Sequence, residues 1–274
     1  MTAPLAQPRP QEQPILLRES VGSVAVLTLN RPQARNCLSE ALIAELHGAL
    51  DRLRNDAGIR VIVICANGPV FSSGHDLKEL TARRSDADGG RAFFEKLMRQ
   101  CSAMMQAVVH SPKPVIAAVQ GVATAAGCQL VASCDLAVAA ERATFATPGV
   151  DIGLFCSTPM VALSRNIPRK HAMHMLLTGE PITAATARDL GLVNTVVANG
   201  TERDAAIELA MRVASKSAHT VKIGKEAFYR QAEMSLADAY EYAAEVMTEN
   251  MMARDAAEGI GAFIEKRKPT WEDR

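Results

Sequence analysis

The chain has 274 residues, of which 48% are apolar, so it is long enough for one large domain with a substantial buried core. Its 30 lysines and arginines balance 30 aspartates and glutamates, which argues against nucleic acid as a partner, since nucleic-acid binders need clustered excess positive charge. No apolar run approaches the roughly 20 residues of a membrane span, so we expect no membrane insertion.

The N-terminal residues 1–14 are rich in proline and glutamine and are predicted to form a disordered leader. They lack the apolar run of a secretory signal and the arginine-rich amphipathic pattern of a transit peptide. Six cysteines occur without any CxxC pair, a pattern that favours a reducing compartment over a disulfide scaffold. We therefore expect a cytoplasmic protein.

Strand and helix patterns alternate along residues 15–201. Apolar runs predict strands at 24–29, 59–65, 114–119 and 135–139. Ser39 is predicted to cap a helix whose apolar residues recur at helical spacing as far as Leu53. Because strands, small-residue turns and helices repeat in the same order, the sequence predicts an α/β fold with crossover connections.

From about residue 202 the sequence is almost entirely helical. Four amphipathic segments are predicted there, at 205–215, 220–231, 236–252 and 256–266. We divide the chain into the leader, an α/β core at 15–201 and a helical region at 202–274. Because large apolar patches are rarely exposed on a soluble monomer, the helical region is predicted to mediate self-association.

Two small-residue turns, at 72–74 and 125–127, each follow a strand and precede a helix. Backbone N–H groups at the start of a helix lack intrahelical acceptors and lie at its positive end. If the two turns face one another, they offer two donors to one oxygen, which is an oxyanion hole. For each turn taken alone, tight packing of the strand on the helix is an equally good explanation.

The stretches Phe71–Leu80 and Gly121–Val131 resemble the two signature turns of the crotonase family, the enoyl-CoA hydratases and isomerases. Further matching stretches follow in the same order at 30–32, 145–149, 177–182 and 262–269. The resemblance implies a spiral of ββα units with a C-terminal helical region that builds trimers, often paired into hexamers. It also implies an acyl-CoA thioester substrate, a place in fatty-acid metabolism, coenzyme A only as part of the substrate, and no metal or redox cofactor.

The resemblance assigns roles to individual positions. The backbone N–H groups of His75 and Ala126 would hold the thioester oxygen. The positions implied to contact the substrate and its CoA part are Ser73, His75, Asp76, Leu77, Lys78 and Ala126 in the two turns, and Phe263 and Lys266 near the C-terminus. A solvated basic helix end is the alternative interpretation of Lys266.

The chain also departs from the family pattern. Family hydratases carry two glutamates that position water and transfer its proton, whereas these positions are Gln129 and Gly149 here. Neither can titrate near neutral pH, and general acid–base catalysis is typically worth about 10²–10⁴ in rate. We therefore expect weak hydration. The alternatives are a non-catalytic CoA-ester-binding or assembly protein, or a different thioester reaction such as isomerisation or hydrolysis.

Other side chains near the turns leave alternatives open. His75 contributes either through its backbone alone or also through its imidazole as acid or base. Asp76 is expected to brace the turn by accepting backbone N–H bonds. Cys128 and Cys156 flank the expected pocket and are alternative nucleophiles if their thiolates are stabilised.

Overall fold

The computed structural model describes residues 13–274, so all but the last two residues of the expected leader lie outside the described part. Within it, ten strands form two sheets. The larger sheet, in the order β1-β2-β3-β5-β7-β10, contains β1 (Leu16–Val21), β2 (Val24–Leu29), β3 (Val61–Ala66), β5 (Val115–Val119), β7 (Leu136–Ala140) and β10 (Thr195–Val197). The smaller, in the order β4-β6-β8-β9, contains β4 (Val70–Ser72), β6 (Val122–Thr124), β8 (Thr144–Ala146) and β9 (Ile182–Thr183).

Eleven α-helices surround these sheets in the described range. They are α1 (Glu40–Arg54), α2 (Leu77–Ala82), α3 (Arg91–Val109), α4 (Ala126–Ser133), α5 (Ser157–Leu163), α6 (Arg169–Thr178), α7 (Ala184–Leu190), α8 (Glu202–Ala214), α9 (Ala218–Gln231), α10 (Leu236–Met252) and α11 (Arg254–Ile264). Among residues 13–274, none of these helices has the length and apolar character needed to cross a membrane.

Three successive units each place one strand in each sheet and then enter a helix: β3-β4-α2, β5-β6-α4 and β7-β8-α5. Strands β3, β5 and β7 are parallel neighbours in the larger sheet, and β4, β6 and β8 are parallel neighbours in the smaller one. This arrangement confirms the predicted crotonase-like spiral of ββα units. Because parallel neighbours end at the same edge, the turns after β4, β6 and β8 are brought side by side.

The local sequence patterns account for the core elements. The hydroxyl of Ser39 accepts a hydrogen bond from the backbone N of Leu42 at 3.3 Å, as expected for the cap of α1. The apolar stripe of α1 is buried through Leu53, and the predicted strand at 24–29 is observed with the same bounds. The other predicted strands begin or end within two residues of the observed ones, and the strand predicted at 114–119 ends at Val119 as observed.

Helix α8 packs directly against the larger sheet. Ala206, Ala210 and Ala214 are buried in a cluster that includes Val26 and Val63 of the sheet. Their small side chains allow the helix to approach the strands closely. The helix therefore packs as part of the core, although the predicted boundary at 201/202 assigned it to the helical region.

Helix α9 is joined to the core by a polar network. The ammonium of Lys225 donates to Asp135 at 2.7 Å and to the carbonyl oxygens of Val108 and Lys113 at 3.1 Å each. The hydroxyl of Tyr229 donates to the other oxygen of Asp135 at 2.9 Å, and the same carboxylate accepts the first N–H of β5. Burial lowers the pKa of Lys225, although the negative charge of Asp135 acts in the opposite direction. Burial raises the pKa of Tyr229, and the charge of Asp135 raises it further. The network holds α9 to the core although no residue of α9 is fully buried.

We expect the substitution Lys225→Met to lower the free energy of unfolding by about 3 kcal/mol, because it leaves the carboxylate of Asp135, whose side chain is only 15% exposed, without its cation. Tyr229→Phe should cost about 1 kcal/mol, the value of one hydrogen bond. Urea unfolding followed by circular dichroism measures both. Lys222→Met on the exposed side of the same helix is the matched control, with an expected change within about 0.5 kcal/mol. Equal stability of the Lys225 and Lys222 variants would contradict this account of the network.

Candidate active site

The two small-residue turns are in direct contact. Gly74 has a φ of +83°, and a Cβ built on it would lie 2.8 Å from the Cβ of Ala125 and 3.2 Å from the backbone N of Ala126. A Cβ built on Gly127 would lie 2.3 Å from the carbonyl oxygen of Ser72. Because real Cβ atoms do not approach backbone atoms so closely, only glycine fits at position 127 without moving the turns. At position 74, any other residue would also be strained by the positive φ.

Two backbone N–H groups at this junction are available to a ligand. Ala126 is the first residue of α4, so its N–H has no acceptor within the helix. In the part of the chain that the structure describes, the backbone N of His75 donates to no acceptor, whereas the carbonyl of Gly74 accepts from Leu38 at 2.7 Å. The junction can therefore offer two donors to an oxygen that carries negative charge.

Ala125 holds the second turn in an unusual backbone conformation. Its φ is +50° and its ψ is −119°, a region that residues with a Cβ rarely adopt. Hydrogen bonds on both sides hold it there: its N donates to Ala146 at 2.9 Å, and its carbonyl accepts from Gln129 at 3.0 Å. Strain of this kind, worth about 1–3 kcal/mol, is concentrated at functional sites.

Asp76 braces the first turn, as the sequence indicated. Its Oδ1 accepts from the backbone N of Lys78 at 3.1 Å and of Glu79 at 3.4 Å, which caps α2. Its Oδ2 accepts from the thiol of Cys37 at 3.2 Å and lies 3.6 Å from Arg31. Burial works to raise the pKa of Asp76, but these hydrogen bonds and the nearby cation outweigh it, so the pKa is lowered. The carboxylate is thus committed to holding the turn.

The remaining residues of the first turn surround the start of α2. The backbone N of Ser73 donates to Arg35 at 3.1 Å, while Leu77 and Lys78 are exposed. A cavity of about 680 Å³ lies on the side of the turn that carries Asp76 and Glu79, and Arg31 and Ser39 are also among its lining residues. The turn therefore has open space next to it on the α2 side.

Near the junction, three polar side chains have buried atoms that find no hydrogen-bond partner among residues 13–274. These atoms are the two ring nitrogens of His75, Oε1 of Gln129 and Oγ1 of Thr147. Gln129 is only 5% exposed and Thr147 only 1%. Thr147 follows Ala146, which is bonded to Ala125, so it lies next to the start of α4. Thr147 is not among the residues predicted from the sequence, although its position within the matching stretch 145–149 was a usable signal.

Gly149 has no room for a side chain. A Cβ built there would lie 2.8 Å from the carbonyl oxygen of Leu154 and 2.9 Å from the sulfur of Cys156. Burial raises the pKa of Cys156 and raises that of Cys128 to about 12. Both thiols are protonated at neutral pH, so the alternative of a cysteine nucleophile is not supported.

Phe263 and Lys266 are exposed at the C-terminal end of helix α11. Phe263 is 85% exposed near the end of α11, and Lys266 follows the helix on the surface. Helix α11 packs against α9 and α10. Their contact with a bound ligand therefore stays a prediction. Within residues 13–274, no group of three or more histidine, cysteine or acidic side chains could hold a metal ion.

Comparison with known proteins gives consistent matches over nearly the whole chain. The family model for enoyl-CoA hydratase/isomerase matches residues 19–274. The enoyl-CoA hydratase domain-containing protein 3 of Xenopus laevis is 46% identical over 261 residues, which cover 95% of this chain and 87% of the relative. The human protein of the same name is 44% identical over 266 residues, which cover 97% and 84%.

Solved structures agree with these matches. A Mycobacterium smegmatis enoyl-CoA hydratase has a TM-score of 0.90 at 48% identity, with 94% of this chain and 99% of that chain covered. The human enoyl coenzyme A hydratase domain-containing protein 3 has a TM-score of 0.89 at 44% identity, with 94% and 100% covered. The signature stretches resemble this branch most within the family, and the comparisons confirm that resemblance.

The names of the relatives correct one expectation. The relatives from Xenopus laevis, Rattus norvegicus, Homo sapiens, Mus musculus and Danio rerio are all named mitochondrial. The cytoplasmic location expected from the sequence is therefore wrong. The expectation depended on the scattered cysteines and on an N-terminal segment that lies almost wholly outside the described residues. Neither feature identifies a cellular compartment directly.

Proposed function

We propose that the chain, which belongs to the enoyl-CoA hydratase/isomerase family, binds an acyl-CoA thioester of fatty-acid metabolism at the junction of its two turns. The thioester oxygen lies between the backbone N–H groups of His75 and Ala126. The observation that carries this proposal is the close packing of Gly74 on Ala125 and on the backbone N of Ala126, since it supports placing both donors at one oxygen. Such donors stabilise the negative charge of an enolate.

The CoA part of the ligand is proposed to lie along the start of α2. Ser73, Leu77 and Lys78 are in this turn, and the ammonium of Lys78 is free to meet a phosphate. Phe263 and Lys266 are proposed to cover the CoA, and their exposure leaves them available for such a contact. Coenzyme A takes part only as a portion of the substrate, and we propose no further cofactor.

Hydration of an enoyl thioester is proposed to be weak. The amide of Gln129 can orient a water molecule but cannot take or give its proton. At the second family position, Gly149 offers no side chain, and the carbonyl of Leu154 fills the space where one would begin. The same two positions favour a second candidate function, a protein that binds CoA esters without turning them over.

Self-association is proposed to cover apolar side chains on the C-terminal helices. Leu236 and Met252 of α10 are 76% and 80% exposed, and Phe263 and Ile264 of α11 are 85% and 73% exposed. An apolar surface of this kind is rarely left open on a soluble monomer. We propose a trimer or hexamer, because a closed symmetric assembly buries the same apolar surface on every copy of the chain.

Binding of acetoacetyl-CoA, measured by calorimetry, is the first test. Gly74→Ala should weaken binding by about tenfold or more, because its Cβ enters the space beside the Ala126 N–H and removes about one hydrogen bond. Gly89→Ala is the matched control, since Gly89 also has a positive φ of +68° but nothing lies within 4 Å of an added Cβ. No heat with the wild-type chain, or equal affinities for both variants, would contradict the site.

Hydration of crotonyl-CoA, followed by absorbance, is the second test. The wild-type rate should be very low, and Gln129→Glu should raise it at least about tenfold because a carboxylate can transfer the proton. Gln129→Met keeps the volume without any acid or base and should stay low. Gly149→Glu is unsuitable, since its Cβ would displace the backbone at Leu154. A fast wild-type reaction would show that another group activates the water and transfers its proton.

Light scattering at micromolar concentration is the third test. We expect the mass of three or six chains. Leu236→Glu should shift the mass towards the monomer, because it places a charge in the covered surface. Glu241→Gln, at an exposed position of the same helix, is the control and should leave the mass unchanged. A monomeric wild-type chain would refute the proposed assembly.

A further inference from the structure

Helix α11 ends in a turn whose backbone conformation is unusual for a lysine. Lys266 has a φ of +55°, in the left-handed region that residues with a Cβ rarely adopt. The backbone N of Lys266 donates to Phe263 at 3.2 Å, and that of Arg267 donates to Ala262 at 3.0 Å, as at many helix ends. Glycine is the usual residue in the left-handed position of such an ending. A lysine there keeps its side chain at a cost in backbone strain.

The turn is held in place by Glu258, which lies about two helical turns earlier on α11. The two terminal nitrogens of Arg267 donate to the two carboxylate oxygens of Glu258 at 2.6 and 2.8 Å. The backbone N of Thr270 donates to the same carboxylate at 2.8 Å. The hydrogen bonds from Arg267 and Thr270 lower the pKa of Glu258 to about 2, so it is ionised at neutral pH. Because a two-bond contact fixes orientation as well as distance, Glu258 ties the residue after Lys266 back to the helix.

The rest of the C-terminal tail is fixed along the same face of α11. Asp255 is only 2% exposed, and its carboxylate accepts from the backbone N atoms of residues 272–273 at 2.8 and 3.0 Å. The ring of Trp271 lies beside Gly259, where an added Cβ would come within 3.2 Å of it. Asp255, Glu258 and Gly259 share one helix face because they are three and four positions apart. The chain therefore turns back after α11 and is fixed along the helix, which limits how far the turn can move.

The ion pair of Glu258 with Arg267 affects geometry more than stability. The side chain of Glu258 is 24% exposed and that of Arg267 is 44% exposed, and exposed ion pairs typically contribute little to stability. Arg267 forms ion pairs with Glu258 and Glu265, whereas the ammonium of Lys266 forms none among residues 13–274. Lys266 is therefore an exposed cation on a backbone that its neighbours hold in place.

We propose that Glu258 is a positioning residue for the CoA part of the ligand, because through Arg267 it holds the turn from which Lys266 contacts a phosphate. This inference rests on the proposed binding of an acyl-CoA thioester, in which Lys266 covers the CoA. The carboxylate of Glu258 is occupied by Arg267 and Thr270, so it acts on the ligand only through the turn. An ammonium is a compact charge on a flexible stem, and a fixed backbone reduces the conformational freedom that it loses on binding.

The first test compares the binding of acetoacetyl-CoA with that of acetoacetyl-pantetheine, a thioester without phosphates, by calorimetry. Glu258→Gln keeps the side-chain volume but breaks the two-bond contact with Arg267. It should weaken the binding of acetoacetyl-CoA by about threefold or more, and change that of the phosphate-free ester by less than about twofold. Glu95→Gln is the matched control, because Glu95 forms an exposed ion pair with Arg99 on α3. Its loss should change neither affinity by more than about twofold.

A second pair of variants separates positioning from a general structural role, and it needs only acetoacetyl-CoA. Lys266→Met should weaken binding by about fivefold or more, because it removes the cation that contacts the phosphate. In that background, Glu258→Gln should weaken binding further by less than about twofold, because there is no ammonium left to position. A carboxylate that only stabilised the fold would lower the affinity equally in both backgrounds.

The outcomes distinguish this inference from the proposed function. Unchanged binding of acetoacetyl-CoA by Glu258→Gln, or an equal loss for both thioesters, would overturn the positioning role. If the wild-type chain binds acetoacetyl-CoA and Lys266→Met loses no affinity, the positioning role fails while the thioester site stands. If the wild-type chain binds neither thioester, the proposed function itself fails, and the positioning role fails with it.

Discussion

Contact between two turns is the constraint on which the rest of the site depends. The carbonyl of Ser72 occupies the place where Gly127 would carry a Cβ, and the backbone N of Ala126 lies beside Gly74. The parallel pairing of β4, β6 and β8 brings these turns to one edge, and the strained backbone of Ala125 completes the junction. The spiral of ββα units thus determines where a thioester oxygen could be held, before any side chain takes part.

The chemistry around this junction differs from the usual arrangement in how protons could be handled. The charged group closest to the turn, Asp76, serves as a cap and not as a base. Gln129 and Thr147 bury polar atoms without partners among the described residues, and neither side chain titrates near neutral pH. Polar groups of this kind can orient a ligand or a water molecule, but they cannot exchange protons with it.

Features carried by local sequence could be predicted, and features carried by distant contacts could not. The strand at 24–29 and the cap at Ser39 follow from short-range patterns. The sequence offers the two turns as a joint site only on the condition that they face one another, and the structure shows that they are in contact. The ion pair of Asp135 with Lys225 joins residues 90 positions apart, so no local pattern reveals it. The packing of α8 on the larger sheet was not predicted, because an alanine-rich helix face carries only a weak hydrophobic signal. The lack of space at Gly149 was not predicted either, because it depends on the position of the Leu154 carbonyl in the folded loop.

That closed space also bears on how the chain can change over evolutionary time. The carbonyl of Leu154 and the sulfur of Cys156 stand where a side chain at Gly149 would start, so the surrounding loop has adapted to a glycine. A mutation that introduced a glutamate there would meet a clash before it could contribute any catalysis. A carboxylate at this position therefore requires accompanying changes in the loop, since the single substitution alone would lower stability. The packing around Gly149 thus directs any single-step gain of a carboxylate to other positions.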